Sequence, residues 1–263
     1  MNQPIFIFSA GWRSGSTMLQ RLVTGTGVAL IWGEAGGALD RLADAHACYE
    51  QMLGPGGHRF KFGFGGNGAQ EYETFRSAGK DGFNKWIACM NPPAETFVHA
   101  FRRFLESVYA APAAALGYER WGVKEVQSGI EAARFLRLLY PQASFIFLVR
   151  HPYDCLTSIK RRDWLDRPND ARALEYYGGH WARLAREFRA SDFGHLVKYE
   201  DLVSDPKVQE KVGQHIGIPE LPSRFEQTNR ADWKSHHDKS LTFWERRRLF
   251  RIVANEMKHY GYE

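Results

Sequence analysis

The 263-residue chain is poor in cysteine and has no long apolar run, and each shortage narrows its class. Its three cysteines, Cys48, Cys89 and Cys155, are far apart, odd in number and form no Cys-x-x-Cys pair. That spacing argues against a disulfide scaffold or a thiolate metal site and reads as reduced, cytosolic usage. No stretch approaches the roughly 20 apolar residues of a membrane span. The first apolar run, Ile5 to Phe8, follows no basic leader and reads as a strand, so neither a signal peptide nor a membrane anchor is expected. An excess of one sign of charge is also modest, at +5. It suits a polyanionic small ligand, whereas the basic residues are too dispersed, and too free of recognition motifs, to suggest nucleic acid.

What is present begins at residue 5. Ile-Phe-Ile-Phe-Ser-Ala-Gly-Trp-Arg-Ser-Gly-Ser-Thr runs from an apolar strand through a tight loop into a helix start. Backbone N–H groups around Gly15 and the positive end of the following helix favour an anion, and the Ser16 and Thr17 hydroxyls can bond its oxygens. A Walker-type triphosphate loop needs a Lys just before its Ser/Thr. Here Gly15 takes that place and the loop cation is Arg13. A second anion site is written in Phe145-Ile-Phe-Leu-Val-Arg-His-Pro-Tyr-Asp-Cys-Leu-Thr-Ser158, where Arg150 ends a buried strand at the edge where open α/β sheets bind ligands. Pro152 suits a first helical turn, and Ser158 lies roughly 9 Å further along that helix, within reach of an anion held by Arg150.

These two segments, in this order and at this separation, resemble the 5'-phosphosulfate and 3'-phosphate motifs of sulfotransferases that use 3'-phosphoadenylyl sulfate (PAPS). Val197-Lys-Tyr-Glu-Asp-Leu and Tyr260-Gly-Tyr262 are similar to the same family, so the likeness runs over nearly the whole chain. It implies an α/β, P-loop NTPase-like three-layer fold with a central parallel sheet flanked by helices, as one sulfotransferase domain over residues 1–263. PAPS is the implied sulfuryl donor, with Arg13, Ser14, Gly15, Ser16, Thr17, Arg150 and Ser158 as its contacts and no metal.

Helices are expected over Thr17 to Thr24, Ala38 to Leu53 and Ile130 to Leu139, and strands over Val28 to Trp32, Trp121 to Val123, Ser144 to Val149 and Leu196 to Tyr199. Asn91 can cap a helix with Pro92 at its first position, followed by a core stripe of Phe97, Phe101, Phe104, Leu105 and Val108. Gly54 to Gly68 reads as an exposed loop near the acceptor. The dinucleotide-like Gly63-Phe-Gly-Gly-Asn-Gly68 within it lacks a strand-to-helix context. His236-His237-Asp238 has no second cluster to complete a metal site, and Arg246-Arg247-Arg248 reads as a solvated helix face.

Transfer to a hydroxyl needs a base, a cation and a clamp. Glu34 follows the first strand, loop and helix at the place where tyrosylprotein and some bacterial sulfotransferases carry a catalytic Glu; otherwise it caps a helix starting near Ala35. His58, in the Gly-rich loop, and His99, read as packing in a helix, are its rivals. Lys124 ends a strand at the cofactor edge, and with Arg13 it is the resemblance's cationic pair, the alternative being a solvated Lys. Lys234 and Lys239 are candidates for the 3'-phosphate clamp, although the family's Lys-Gly-x-x-Gly-x-Trp pattern is absent. The expected partner is a hydroxylated acceptor, a sugar, a tyrosyl residue or a phenolic metabolite, with Trp32, Phe60, Phe62 and Phe64 as an aromatic lining. A kinase for a small hydroxylated substrate, or a nucleotide-binding module without catalysis, is the alternative. The kinase would need a loop Lys and an acidic magnesium site.

Overall fold

The computed structural model describes residues 3–53, 68–79, 91–162, 171–221 and 240–262. Strand β1 (Ile5–Ser9) leads through the loop to helix α1 (Ser16–Gly25), then β2 (Ala29–Trp32), α2 (Ala38–Leu53) and α3 (Gly68–Ala78). Helix α4 (Ala94–Leu105) continues through a π-helical turn, Glu106–Ala110, into α5 (Ala111–Ala115). There follow β3 (Arg120–Glu125), α6 (Ile130–Leu139), β4 (Ser144–Val149), α7 (Pro152–Arg161) and α8 (Ala171–Arg189). The chain closes with β5 (His195–Lys198), α9 (Tyr199–Ser204), α10 (Pro206–Ile216) and α11 (Phe243–Tyr260).

The five strands are all parallel in the order β2-β3-β1-β4-β5. Every residue of β1 is buried, because helices cover both faces of the sheet. Its side chains alternate accordingly: Ile5 and Ile7 pack with Leu19 and Val23 of α1 and Val212 and Ile216 of α10, while Phe6 and Phe8 join the larger core under α2, α6, α8 and α11. Gly122 opposes Ile5 in the ladder, where a Cβ would lie 2.7 Å from the Ile31 side chain and closer still to the Ile5 carbonyl. Only glycine lets β3 lie that close. From β1 the chain turns to β2 on one side and later to β4 on the other, so the crevice above the β1 carboxyl end lies where the strand order reverses.

The α/β, P-loop-like expectation is therefore met, and α2, α6 and β4 have the expected bounds. Other expectations need correction. Helix α4 starts at Ala94 behind an extended Pro93, not at Pro92, because a residue preceding proline is kept out of the helical region. Its buried face runs along Val98, Phe101, Leu105 and Tyr109, which leaves Phe104 and Val108 exposed. The last strand ends at Lys198, and Tyr199 opens α9. Strand β3 is longer than expected at both ends and takes in Lys124 and Glu125. The Gly54–Asn67 part of the Gly-rich loop, with Phe60, Phe62 and Phe64, and His236-His237-Asp238 lie outside the described residues.

Candidate active site

The loop above β1 is held open by backbone geometry. Gly11 and Gly15 have φ of 81° and 92°, and Arg13, between them, is the one non-glycine with positive φ (63°) among the described residues. A Cβ on Gly15 would meet the Tyr199 ring at 2.2 Å, so the position demands glycine twice over. Ser14 is buried and donates its hydroxyl inward to the Gly11 carbonyl (2.9 Å), bracing the loop. The Gly15 carbonyl accepts from Met18 and Leu19, and α1 starts with no side-chain cap. Ser16 is buried and Thr17 exposed at that start, leaving its first N–H groups as an anion site.

Cations converge on this loop. Arg13 Nε donates to Ser158 Oγ at 2.9 Å, joining the two motifs across 145 residues of sequence. Arg150 Nη1 donates to the Arg13 carbonyl (3.0 Å), and its guanidinium lies 4.4 Å from the centre of the Tyr199 ring. Its Nε is buried with no partner among the described residues. Burial holds the Arg13 pKa below its usual value, and the charges of Arg162 and Arg150 push it the same way. A cluster of like charges held together in this manner is electrostatically poised for a polyanion. Supporting contacts keep Arg150 in place: Trp181 Nε1 donates to its carbonyl, and Glu200 accepts from the His151 N–H and the Tyr262 hydroxyl. Tyr199, Glu200 and Tyr262 thus give physical content to the two C-terminal segments of family likeness.

On the neighbouring strand end Lys124 Nζ donates to Glu34 Oε1 at 2.5 Å. The Lys side chain is 6% exposed and the Glu side chain 34%, so Lys124 is not a solvated strand end. Glu34 does not cap a helix either, since α2 begins at Ala38 after a turn. The turn is held by Glu125, whose Oε1 accepts from the Ala35 N–H at 2.5 Å. Glu125 is fully buried, and burial, with the nearby charges of Glu34 and Asp40, pushes its pKa up to about 7 against the pull of the Ala35 and Val126 amides. Sequence reasoning passed over this residue; a carboxylate between Lys124 and Val126 in an otherwise apolar strand was the available signal. Trp32 donates its indole N–H to the Tyr109 carbonyl in the π-helical turn, which ties β2 to that irregular stretch. His99 lies on the exposed side of α4 rather than in packing. His58, Lys234 and Lys239 fall outside the described residues.

Among the described residues no cluster of His, Cys, Asp or Glu could hold a metal, and no helix is long and apolar enough to cross a membrane. The solved structures similar to the chain include three sulfotransferases. One is a sulfotransferase domain from the curacin biosynthetic pathway, at 18% identity over 84% of this chain and 76% of that one, with a TM-score of 0.49. The second is a sulfotransferase domain from the Synechococcus PCC 7002 olefin synthase, at 20% identity over 97% and 95%, with a TM-score of 0.48. The third, a sulfotransferase from Alicyclobacillus acidocaldarius, shares 13% identity over 98% and 94%, with a TM-score of 0.47. No protein of curated function matches the sequence. The model of the sulfotransferase family matches residues 4–222, which contain both motifs and all five strands, and the chain belongs to that family.

Proposed function

We propose that the chain is a single-domain, PAPS-dependent sulfotransferase over residues 1–263 that acts on a hydroxyl acceptor and releases adenosine 3',5'-bisphosphate. The observation that carries this reading is the convergence of Arg13, Arg150 and Ser158 at the uncapped start of α1, beside the Glu34–Lys124 pair. The residues fit such a donor: clustered guanidiniums, free helix N–H groups and the orphaned Arg150 Nε all call for acceptor oxygens. When bound, PAPS supplies an activated sulfuryl group on a phosphate leaving group. Gly15, Ser16 and Thr17 cradle the 5' end and Arg150 and Ser158 the 3'-phosphate, with Lys234 and Lys239 as candidate clamps.

Glu34 takes the proton from the acceptor hydroxyl as its oxygen attacks sulfur, and Lys124 with Arg13 stabilises the charge that grows on the departing oxygen. Lys124 is already paired with the base, so proton transfer to Glu34 frees its ammonium for the leaving group. No metal enters this scheme. A sugar, a tyrosyl residue and a phenolic metabolite all present the required hydroxyl. The free Cys48 and Cys155 support a cytoplasmic setting.

The test is thermal. Adenosine 3',5'-bisphosphate at 100 times its Kd should add about 2.7 kcal/mol of stability and raise the Tm. ATP with Mg²⁺ should do far less, and Arg150→Ala should abolish the response to the bisphosphate. Equal stabilisation by ATP and Mg²⁺ would favour the kinase reading.

A further inference from the structure

The turn that carries Glu34 has few ties of its own. Between Trp32, the last residue of β2, and Ala38 the backbone has no regular structure, and Gly36 and Gly37 adopt φ of 63° and 82°. Its internal hydrogen bonds, Ala38 N–H to the Ala35 carbonyl and Arg41 N–H to the Gly37 carbonyl, connect it only to α2. Contact with the sheet comes from successive residues of β3: Lys124 grips the Glu34 side chain, and Glu125 grips the Ala35 amide. Glu125 is itself seated firmly, in register with Phe8 and with its carbonyl accepting from the Ser9 hydroxyl.

A buried carboxyl is costly there. Its Oε2 is buried with no partner among the described residues. The charged groups around it are Glu34 and Asp40, which disfavour its ionised form, and Lys124, its chain neighbour, which is engaged with Glu34; the Tyr109 hydroxyl faces the same charge and has its pKa raised, first by burial and then by Glu125. An apolar side chain of similar size would fill the space with less desolvation. What such a side chain would lose is the hold on Ala35.

The geometry points to Glu125 as a positioning residue, whose carboxylate fixes the Ala35 N–H and thereby the turn that presents Glu34 to Lys124 and to the acceptor. The assignment rests on the sulfotransferase reading for its catalytic consequence, but not for the contact itself. Ionisation strengthens the hold, because a charged acceptor makes the shorter and stronger bond.

Two measurements on the intact protein test it. In ¹⁵N–¹H spectra from pH 5 to pH 9, the Ala35 amide should titrate with a midpoint near 7, and Glu125→Gln should remove that titration while leaving bisphosphate affinity within about twofold. With PAPS and a simple phenol as acceptor, Glu125→Ala should lower kcat about tenfold at unchanged KM for PAPS. Glu125→Gln, which keeps an oxygen for Ala35, should restore most of the rate. An Ala35 amide resonance that Glu125→Gln leaves unmoved across that pH range, or a folded Glu125→Ala with wild-type kcat, would overturn the assignment. Should Glu125→Ala not fold, the spectra of the wild type and Glu125→Gln decide alone. A wild type that transfers sulfuryl to no acceptor counts against the sulfotransferase reading, and the Ala35 titration still decides the contact.

Discussion

Lys124 spends its ammonium on Glu34 at 2.5 Å while its own side chain is almost wholly buried, so the proposed base and the proposed cation form one unit. Removing basicity from Glu34 therefore has two consequences. Glu34→Gln should cut the saturated rate by at least about 10²-fold, the lower end for a positioned general base, with bisphosphate affinity nearly unchanged. It should also cost about 1 kcal/mol of stability, because Lys124 keeps only a neutral acceptor, although the Glu34 end of the pair is open to water. Rate assays and urea titrations of the same variant separate the two effects. An active Glu34→Gln beside a folded, inactive His58→Ala would transfer the base to the histidine. The family resemblance added Glu34 and Lys124, and residue types and spacing made Arg13, Arg150 and Ser158 legible as candidates. The Arg13–Ser158 bond was not, since it depends on the left-handed backbone at Arg13, which no local pattern encodes. Glu125 was missed because a strand-end carboxylate reads as solvated until its burial is known.

At the scale of elements, α7 links the cofactor motif to the C-terminal helix. Lys160, two residues and about 3 Å of helix rise beyond Ser158, is buried and donates to both carboxylate oxygens of Glu245 (3.0 and 2.8 Å) and to the Ser240 carbonyl. Glu245 closes a capping box at the start of α11, accepting from the Thr242 N–H while the Thr242 hydroxyl accepts from its own. Burial raises the Glu245 pKa, but its bonds to Lys160 and Thr242 outweigh that and hold it below the usual carboxylate range. Lys160→Met keeps the volume and leaves that carboxylate buried without its cation, so it should cost about 3 kcal/mol, read as a lowered urea midpoint. A change under about 0.5 kcal/mol would mean the pair breaks even against a neutral side chain. Elements with strong periodic patterns, α2, α6 and β4, were readable to the residue. Helix α4 was not, because Pro92 and Pro93 each look like a helix start until the restriction each proline places on the residue before it is applied.

For the whole molecule, alternating strands and helices already implied a parallel sheet covered on both faces, and the phosphate loop after β1 implied a ligand at its carboxyl edge. What alternation does not encode is how buried charges are shared across layers, and these set the pH response. Glu256, buried between α8 and α11, is raised by burial but held low overall by Arg186 and Arg189, as Glu245 is by Lys160. A depressed carboxylate contributes stability above its unfolded pKa and loses it as pH falls, so these two oppose acid. Glu125 has the opposite sign. With a folded pKa of about 7 against 4.5, the native state binds more protons than the unfolded chain in that interval, and its contribution is lost as pH rises through 7. Glu125→Gln does not titrate. Relative to wild type, it should therefore gain up to about 3 kcal/mol between pH 4.5 and pH 8, measured by urea unfolding across that range. A stability difference between the two proteins that stays flat with pH would show that the Glu125 carboxyl ionises as readily in the fold as in water, and that its burial is relieved by solvent reaching Oε2.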